Sequence, residues 1–168
     1  SSITLLGISQ TFDKPVLDGQ GENNIVTVYG TAALTIDNLT LQNGDGGETG
    51  GGAIYSEQGS LEIYNSLFRY NSVSGSGKGG AIYSVGPSMI IKESILHNNI
   101  SLDGDAGAVF VFSGQIDSTE FQNNTAGENG GAVLTASGGS VSIERSLFIG
   151  NQAGNIGGAV YASGNASV

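Results

Sequence analysis

The feature that most constrains this chain is a short string that returns along it. Gly-Gly-Ala-Ile-Tyr stands at residues 51–55 and again at 79–83. Close variants follow as Gly107-Ala108-Val109-Phe110, Gly130-Gly131-Ala132-Val133-Leu134 and Gly157-Gly158-Ala159-Val160-Tyr161. The alanines lie at 53, 81, 108, 132 and 159, a spacing of 28, 27, 24 and 27 residues. A period in this range marks one supersecondary unit stacked on copies of itself.

A second motif interleaves with the first: Phe68-Arg69-Tyr70-Asn71, Leu96-His97-Asn98-Asn99, Phe121-Gln122-Asn123-Asn124 and Phe148-Ile149-Gly150-Asn151. A third segment alternates apolar positions, at Leu61 and Ile63, Met89 and Ile91, Gly114 and Ile116, Val141 and Ile143, with a hydroxyl three residues later at Ser66, Ser94, Thr119 and Ser146. An earlier coil fits the frame through Leu34, Ile36 and Leu41, and residues 3 to about 25 fit it loosely. Each repeat thus holds three short alternating runs, and period-two alternation reads as strand. Runs this short bury a face only when equivalent runs stack at ~4.8 Å. The chain is therefore expected to be all-β, a single domain over 1–168, folded as a parallel β-helix of about six ~27-residue coils, roughly 30 Å tall. The general crossover preference makes it right-handed.

Composition agrees. There are 29 Gly against 15 acidic and five basic residues, and 38% of the chain is hydrophobic. Gly costs about 1 kcal/mol at a helical position, which argues against a helical protein. The apolar content is too high for a disordered Gly-rich linker. A net charge of -10 with five scattered cations cannot track phosphates, which argues against nucleic acid and anionic lipid as partners. There is no cysteine, and no apolar run long enough to span a bilayer.

Stacking in register turns each repeated position into a ladder. Ile54, Ile82, Val109, Val133 and Val160 are expected to fill the interior, as are Phe68, Leu96, Phe121 and Phe148. Asn71, Asn99, Asn124 and Asn151 form a structural ladder whose amides bond along the axis and whose residue type tolerates αL backbone. The Gly pairs allow positive φ at tight corners. The row Tyr55, Tyr83, Phe110, Leu134 and Tyr161 reads either way, inward or as an outward aromatic stripe.

The paired motifs, Gly-Gly-Ala-(Ile/Val/Leu) and Phe-x-x-Asn, resemble the repeats of chlamydial polymorphic outer-membrane proteins over roughly residues 26–168. The resemblance implies a secreted or surface-exposed β-helix, associated with the outer membrane, often an autotransporter passenger, with adhesive roles.

Few residues offer chemistry. His97 is the single histidine and falls beside Arg69 and Gln122 in the register; the first expectation is a solvated turn residue, with a small polar patch as the sharper alternative. The outward row Tyr64, Lys92, Asp117, Glu144 suggests a Lys92–Asp117 ion pair and one carboxylate pair, Asp117 with Glu144, the nearest thing to a polysaccharide-cleaving site. Asp103, Asp105 and Asp45 sit in Gly-rich turns as weak calcium candidates, although neither turn completes an EF-hand or a β-roll nonapeptide. Otherwise no cofactor or metal is expected, and no catalytic residue. Sequons occur at Asn38, Asn99, Asn123 and Asn165, and use of Asn99 would require it to face outward.

The expected function is an adhesin or binding module without catalysis, for a surface ligand, glycan or protein. A structural stalk or fibre subunit stacking end to end is the alternative, and a polysaccharide lyase or hydrolase ranks third. The closing stretch 164–168 repeats the start of a strand at Gly139-Ser140-Val141, which suggests a segment of a longer chain or of a head-to-tail assembly, self-associating through strand edges.

Overall fold

A computed structural model describes residues 1–9 and 13–164. Among these residues there is no helix, and the strands pair in parallel with their counterparts one repeat away. The result is a parallel β-solenoid of about six coils. The closing residues of the sequence and Asn165 lie outside the described residues.

The coils are built on four walls, the fourth formed by strands in four of them. Wall 1 stacks Val26–Val28, Ile54–Ser56, Ile82–Ser84, the beginnings of Val109–Asp117 and Val133–Glu144, and Val160–Ala162. Wall 2 stacks Ser2–Leu6, Ala33–Asp37, Ser60–Tyr64, Met89–Lys92 and the ends of the two long strands. Wall 3 holds Val16–Asp18, Thr40–Gln42, Leu67–Arg69, Ile95–His97, Glu120–Gln122 and Leu147–Ile149. Wall 4 is a strip of two-residue strands, Ser72–Val73, Ile100–Ser101, Thr125–Ala126 and Gln152–Ala153. The expected three runs are therefore four, because two residues are too few for alternation to register. The N-terminal coil keeps the frame better than its spacing suggests: Ile3 lies opposite Leu34, Leu5 opposite Ile36, and Leu17 opposite Leu41.

The interior is a column of identical or similar side chains. Ile54, Ile82, Val109 and Val133 are fully enclosed, as are Phe68, Leu96 and Phe121. Phe148 is half-buried and stacks on Phe121, with centroids 4.8 Å apart and planes 4° from parallel. Full burial of such side chains is worth roughly 1.5–3 kcal/mol each.

Three rows of left-handed backbone turn the chain from wall to wall. Asn38, Asn65, Glu93, Ser118 and Arg145 turn wall 2 into wall 3, with φ between 47° and 57°. Asn43, Tyr70, Asn98, Asn123 and Gly150 turn wall 3 into wall 4. Gly51, Gly79, Ala106, Gly130 and Gly157 turn wall 4 into wall 1. The two glycines of each pair have different causes. Gly79 carries φ 70° and a Cβ there would also lie 2.1 Å from the Ile82 carbonyl oxygen, whereas Gly80 has no positive φ and a Cβ on it would lie 2.2 Å from the Gly107 carbonyl oxygen and 2.7 Å from Ile100 backbone atoms. The second glycine is thus a close approach between corner and wall 4, not a conformational need.

Candidate functional site

The interior Asn ladder is the densest polar construction in the molecule. Asn71, Asn99 and Asn124 are fully buried. The Asn99 Oδ1 accepts from the Asn71 backbone N at 3.1 Å and from Asn71 Nδ2 at 3.0 Å. Asn99 Nδ2 donates to Asn124 Oδ1 at 2.9 Å and to the Phe68 carbonyl at 3.2 Å. Asn124 repeats the pattern with Asn151 Oδ1 and the Leu96 carbonyl, and Asn151 Nδ2 reaches the Phe121 carbonyl. The ladder amides saturate the backbone groups that the wall 3–4 corner would otherwise strand in the core. The expected αL conformation is not at these asparagines. It falls one residue earlier, at Tyr70, Asn98, Asn123 and Gly150, because the turn must precede the ladder Asn for its amide to point inward. The buried, fully bonded Asn99 cannot be a glycan acceptor in the folded chain, whereas Asn123 is exposed.

A hydroxyl ladder does the same work at the wall 2–3 corner. Ser94 Oγ accepts from the Ser66 backbone N at 3.1 Å and donates to the Lys92 carbonyl at 2.8 Å. Ser146 Oγ accepts from Thr119 N at 3.2 Å.

Outside wall 3 the character changes. One outward row reads Asp18, Gln42, Arg69, His97, Gln122, in register. Gln42 Nε2 donates to Asp18 Oδ2 at 2.7 Å, and Arg69 Nε donates to Gln42 Oε1 at 2.9 Å. Bonding to Gln42, then to the Gln20 backbone and Asn43, holds the Asp18 carboxyl below the usual carboxylate range. His97 meets the Tyr70 ring edge-on at 5.6 Å, and its Nδ1 accepts from Asn98 Nδ2 at 2.9 Å. Burial first, and then the Arg69 charge, push the His97 imidazole below its ordinary pKa. The αL row beside it presents Asn43, Tyr70, Asn98 and Asn123, with Tyr70 53% exposed. A surface pocket of about 420 Å³ adjoins the Arg69 end, lined by Asp13, Lys14, Val16, Thr40, Leu67 and Arg69. Together these make one polar ledge with an apolar border.

The second hollow, about 390 Å³ and lined by Ile3, Leu5, Val26, Val28, Tyr29, Leu34 and neighbours, opens where Val26–Val28 has a strand on one side only. Its lining is the solenoid interior continued, so it is unstacked core rather than a shaped ligand site.

The acidic candidates are engaged. Asp117 does face Lys92 in register, but its ion partner is Arg145 Nη2 at 2.5 Å, reaching from the αL corner of the next coil. Arg145 Nη1 also holds Glu144 at 3.2 Å. The Asp117–Glu144 pair is therefore clamped by a guanidinium, and that bond pulls the Asp117 carboxyl down. Among the described residues no three His, Asp or Glu side chains group as metal ligands. Asp105 is buried and spends its oxygens on Lys78 at 2.8 Å and Asn129 at 2.9 Å. Asp45 Oδ1 accepts from Gly47 N, and Asp103 is exposed.

The ambiguous aromatic row faces outward. Tyr55, Tyr83 and Phe110 stack face to face at 5.1 and 5.2 Å, forming a small external cluster with Leu134 and Ala106. Their faces cover one another and only edges reach solvent. Desolvation, with Glu57 nearby, raises both tyrosine pKa values.

A family model for the Chlamydia polymorphic membrane protein (Chlamydia_PMP) repeat matches residues 65–85, 118–136 and 145–163. Each matched stretch starts at the wall 2–3 corner and runs through walls 3 and 4 into wall 1, carrying a ladder Asn and the Gly-Gly-Ala corner. The chain resembles the polymorphic membrane proteins in its repeats. No curated protein and no solved structure matches it. The intervening coil, residues 93–111, lies outside the matched stretches and has Leu96 at the Phe position and Ala106 at the first Gly.

Proposed function

We propose that this chain is a surface-exposed adhesin or binding module whose polar ledge on wall 3 contacts a glycan or protein, without catalysis. The observation that carries the reading is the row Asp18, Gln42, Arg69, His97, Gln122 with exposed Tyr70 beside it. It offers donors, acceptors and a ring edge at one strand spacing per coil, on a scaffold too stiff to lose order on binding. The repeat family supports a location at the outer membrane or cell surface. Clamping of Asp117 and Glu144 by Arg145 leaves that pair poorly suited to acid–base work, which needs one free base.

The test is a paired substitution, Arg69→Ala with Gln122→Ala, probed on a glycan array and on cultured epithelial cells. Gln115→Ala on wall 2 is the control. The double variant is expected to lose at least tenfold in binding while keeping its melting temperature. Equal binding by the folded double variant and the wild type would remove the ledge from the function.

A further inference from the structure

The chain carries five cations against 15 acidic residues, and the cations are engaged unevenly. Lys78 pairs with Asp105, and Arg145 with Asp117 and Glu144. Lys92 stands opposite Asp117 in register. Lys14 and Arg69, both half-buried, form no ion pair among the described residues, and both line the pocket of about 420 Å³ at the end of the ledge. Each head is tied to a neutral amide of the second coil. Lys14 Nζ donates to Asn38 Oδ1 at 3.1 Å, and Arg69 Nε to Gln42 Oε1 at 2.9 Å. An amide positions a cation without cancelling its charge, and the bond through Nε leaves the terminal nitrogens of the guanidinium as a fork. Asp18, the carboxylate of the same row, is bonded by Gln42, the Gln20 backbone and Asn43, and Arg69 is the weakest influence on it. Thr40 lies between the two heads. Its neighbour Leu41 is core, so alternation points Thr40 outward, yet it is 4% exposed. The floor is thus sunk, with Val16 and Leu67 as apolar shoulders one coil to either side. Asp13 completes the lining with a carboxylate.

We propose that this pocket takes an acidic sugar, a hexuronate or a sialic acid, through its carboxylate. The inference rests on the glycan-binding reading of the ledge and names the class of sugar that anchors there. The Arg69 fork pairs with the carboxylate, and Lys14 adds charge from the opposite side of Thr40. Asp13 accepts from ring hydroxyls, while Val16 and Leu67 meet the apolar face of the ring. A hydroxy-acid ring carries all three features on one small unit. An aspartate or glutamate side chain has no hydroxyl to offer Asp13. The volume falls within the range of small-ligand pockets. A net charge of -10 repels a polyanion at a distance, so the pocket suits a single isolated carboxylate.

Calorimetric titration of the full chain with sialyllactose and with a glucuronate-terminated trisaccharide, each beside its methyl ester, tests this. Methylation removes the charge and keeps the ring. The wild type is expected to bind at least one acid tenfold or more tighter than its ester, with a preference that shrinks as salt rises. Lys14→Gln keeps a donor for Asn38 and should lose most of that preference while binding the esters as before. Gln122→Ala, two coils along the ledge from Arg69, should weaken acid and ester alike. Equal affinity of the wild type for acid and ester overturns the pocket and leaves the ledge standing. Failure to bind any of the four sugars also overturns the pocket, and the glycan array with Arg69→Ala and Gln122→Ala then judges the ledge separately. An unchanged preference in folded Lys14→Gln overturns the proposal, as does a glutamate-terminated peptide that binds more tightly than either acidic sugar.

Discussion

The interior rows and the exterior rows of this solenoid obey different rules, and adjacent residues show it. Asn98 and Asn99 are neighbours in sequence and the same amino acid. Asn99 is buried, and its amide joins three coils. Asn98 is a half-buried αL corner residue whose side-chain amide donates to His97 Nδ1. The interior position has the same residue in four coils, because each side chain is both donor and acceptor for its copies. The αL position reads Asn43, Tyr70, Asn98, Asn123 and Gly150, since the backbone asks only for a tolerable positive φ and the side chain is free to vary. Stacking fixes what points in. What points out is available for function.

The glycine pair shows the same division and carries the largest expected effect. Gly80→Ala drives a methyl into backbone on two sides and should cost roughly 3 kcal/mol or more. Gly79→Ala adds about 1–2 kcal/mol for a left-handed L-residue and a Cβ that must move away from the Ile82 carbonyl oxygen 2.1 Å off. Ala106 in the same corner one coil on shows that this corner accommodates an alanine, so the loss should be the smaller. Denaturant melts of the two variants measure the difference, and equal losses would break the distinction drawn between them.

Next comes the Asn pair. Asn99→Ala strands the Asn71 amide and the Phe68 carbonyl in the core and should cost about 3 kcal/mol. Asn98→Ala should cost about 1 kcal/mol, and Asn98→Gly close to nothing. Chemical denaturation again decides. A loss from Asn98→Ala as large as that from Asn99→Ala would mean that the exterior row is as constrained as the interior one.

Much of this was legible in the sequence, and the exceptions have physical causes. The spacing of the alanines and of the Phe-x-x-Asn asparagines aligns Phe68 with Leu96 and Phe121, the pairing seen in wall 3. Buried ladders repeat, so their register can be read off. Wall 4 could not be read, because Ser72–Val73 and its counterparts are too short to alternate. The partner of Asp117 could not be read either. Register alone puts Lys92 opposite it, but a long guanidinium at a corner reaches around from Arg145. The shift of αL from Asn71 to Tyr70 was equally hidden, since asparagine suits both a turn and a buried ladder. The ledge was visible only as His97 beside Arg69 and Gln122. Its extension to Gln42, Asp18 and Tyr70 needed the N-terminal coil in place.

The smallest expected effect probes the ledge through pH. The folded chain holds the His97 imidazole below its ordinary pKa of 6.5, chiefly by burial. Below that value the unfolded chain takes up a proton that the folded chain resists, so the unfolded state binds more protons and stability falls as pH falls. The melting temperature should therefore drop slightly between pH 7.5 and 5.5, before the carboxylates of Asp105 and Asp117, which are held low, begin to titrate. His97→Gln continues the amide character of Gln42 and Gln122 and removes the titrating group, so its melting temperature should be flat over the same interval. An identical drop in His97→Gln would show that the exterior row contributes nothing to the pH response, and that the interior alone sets the stability of the coil.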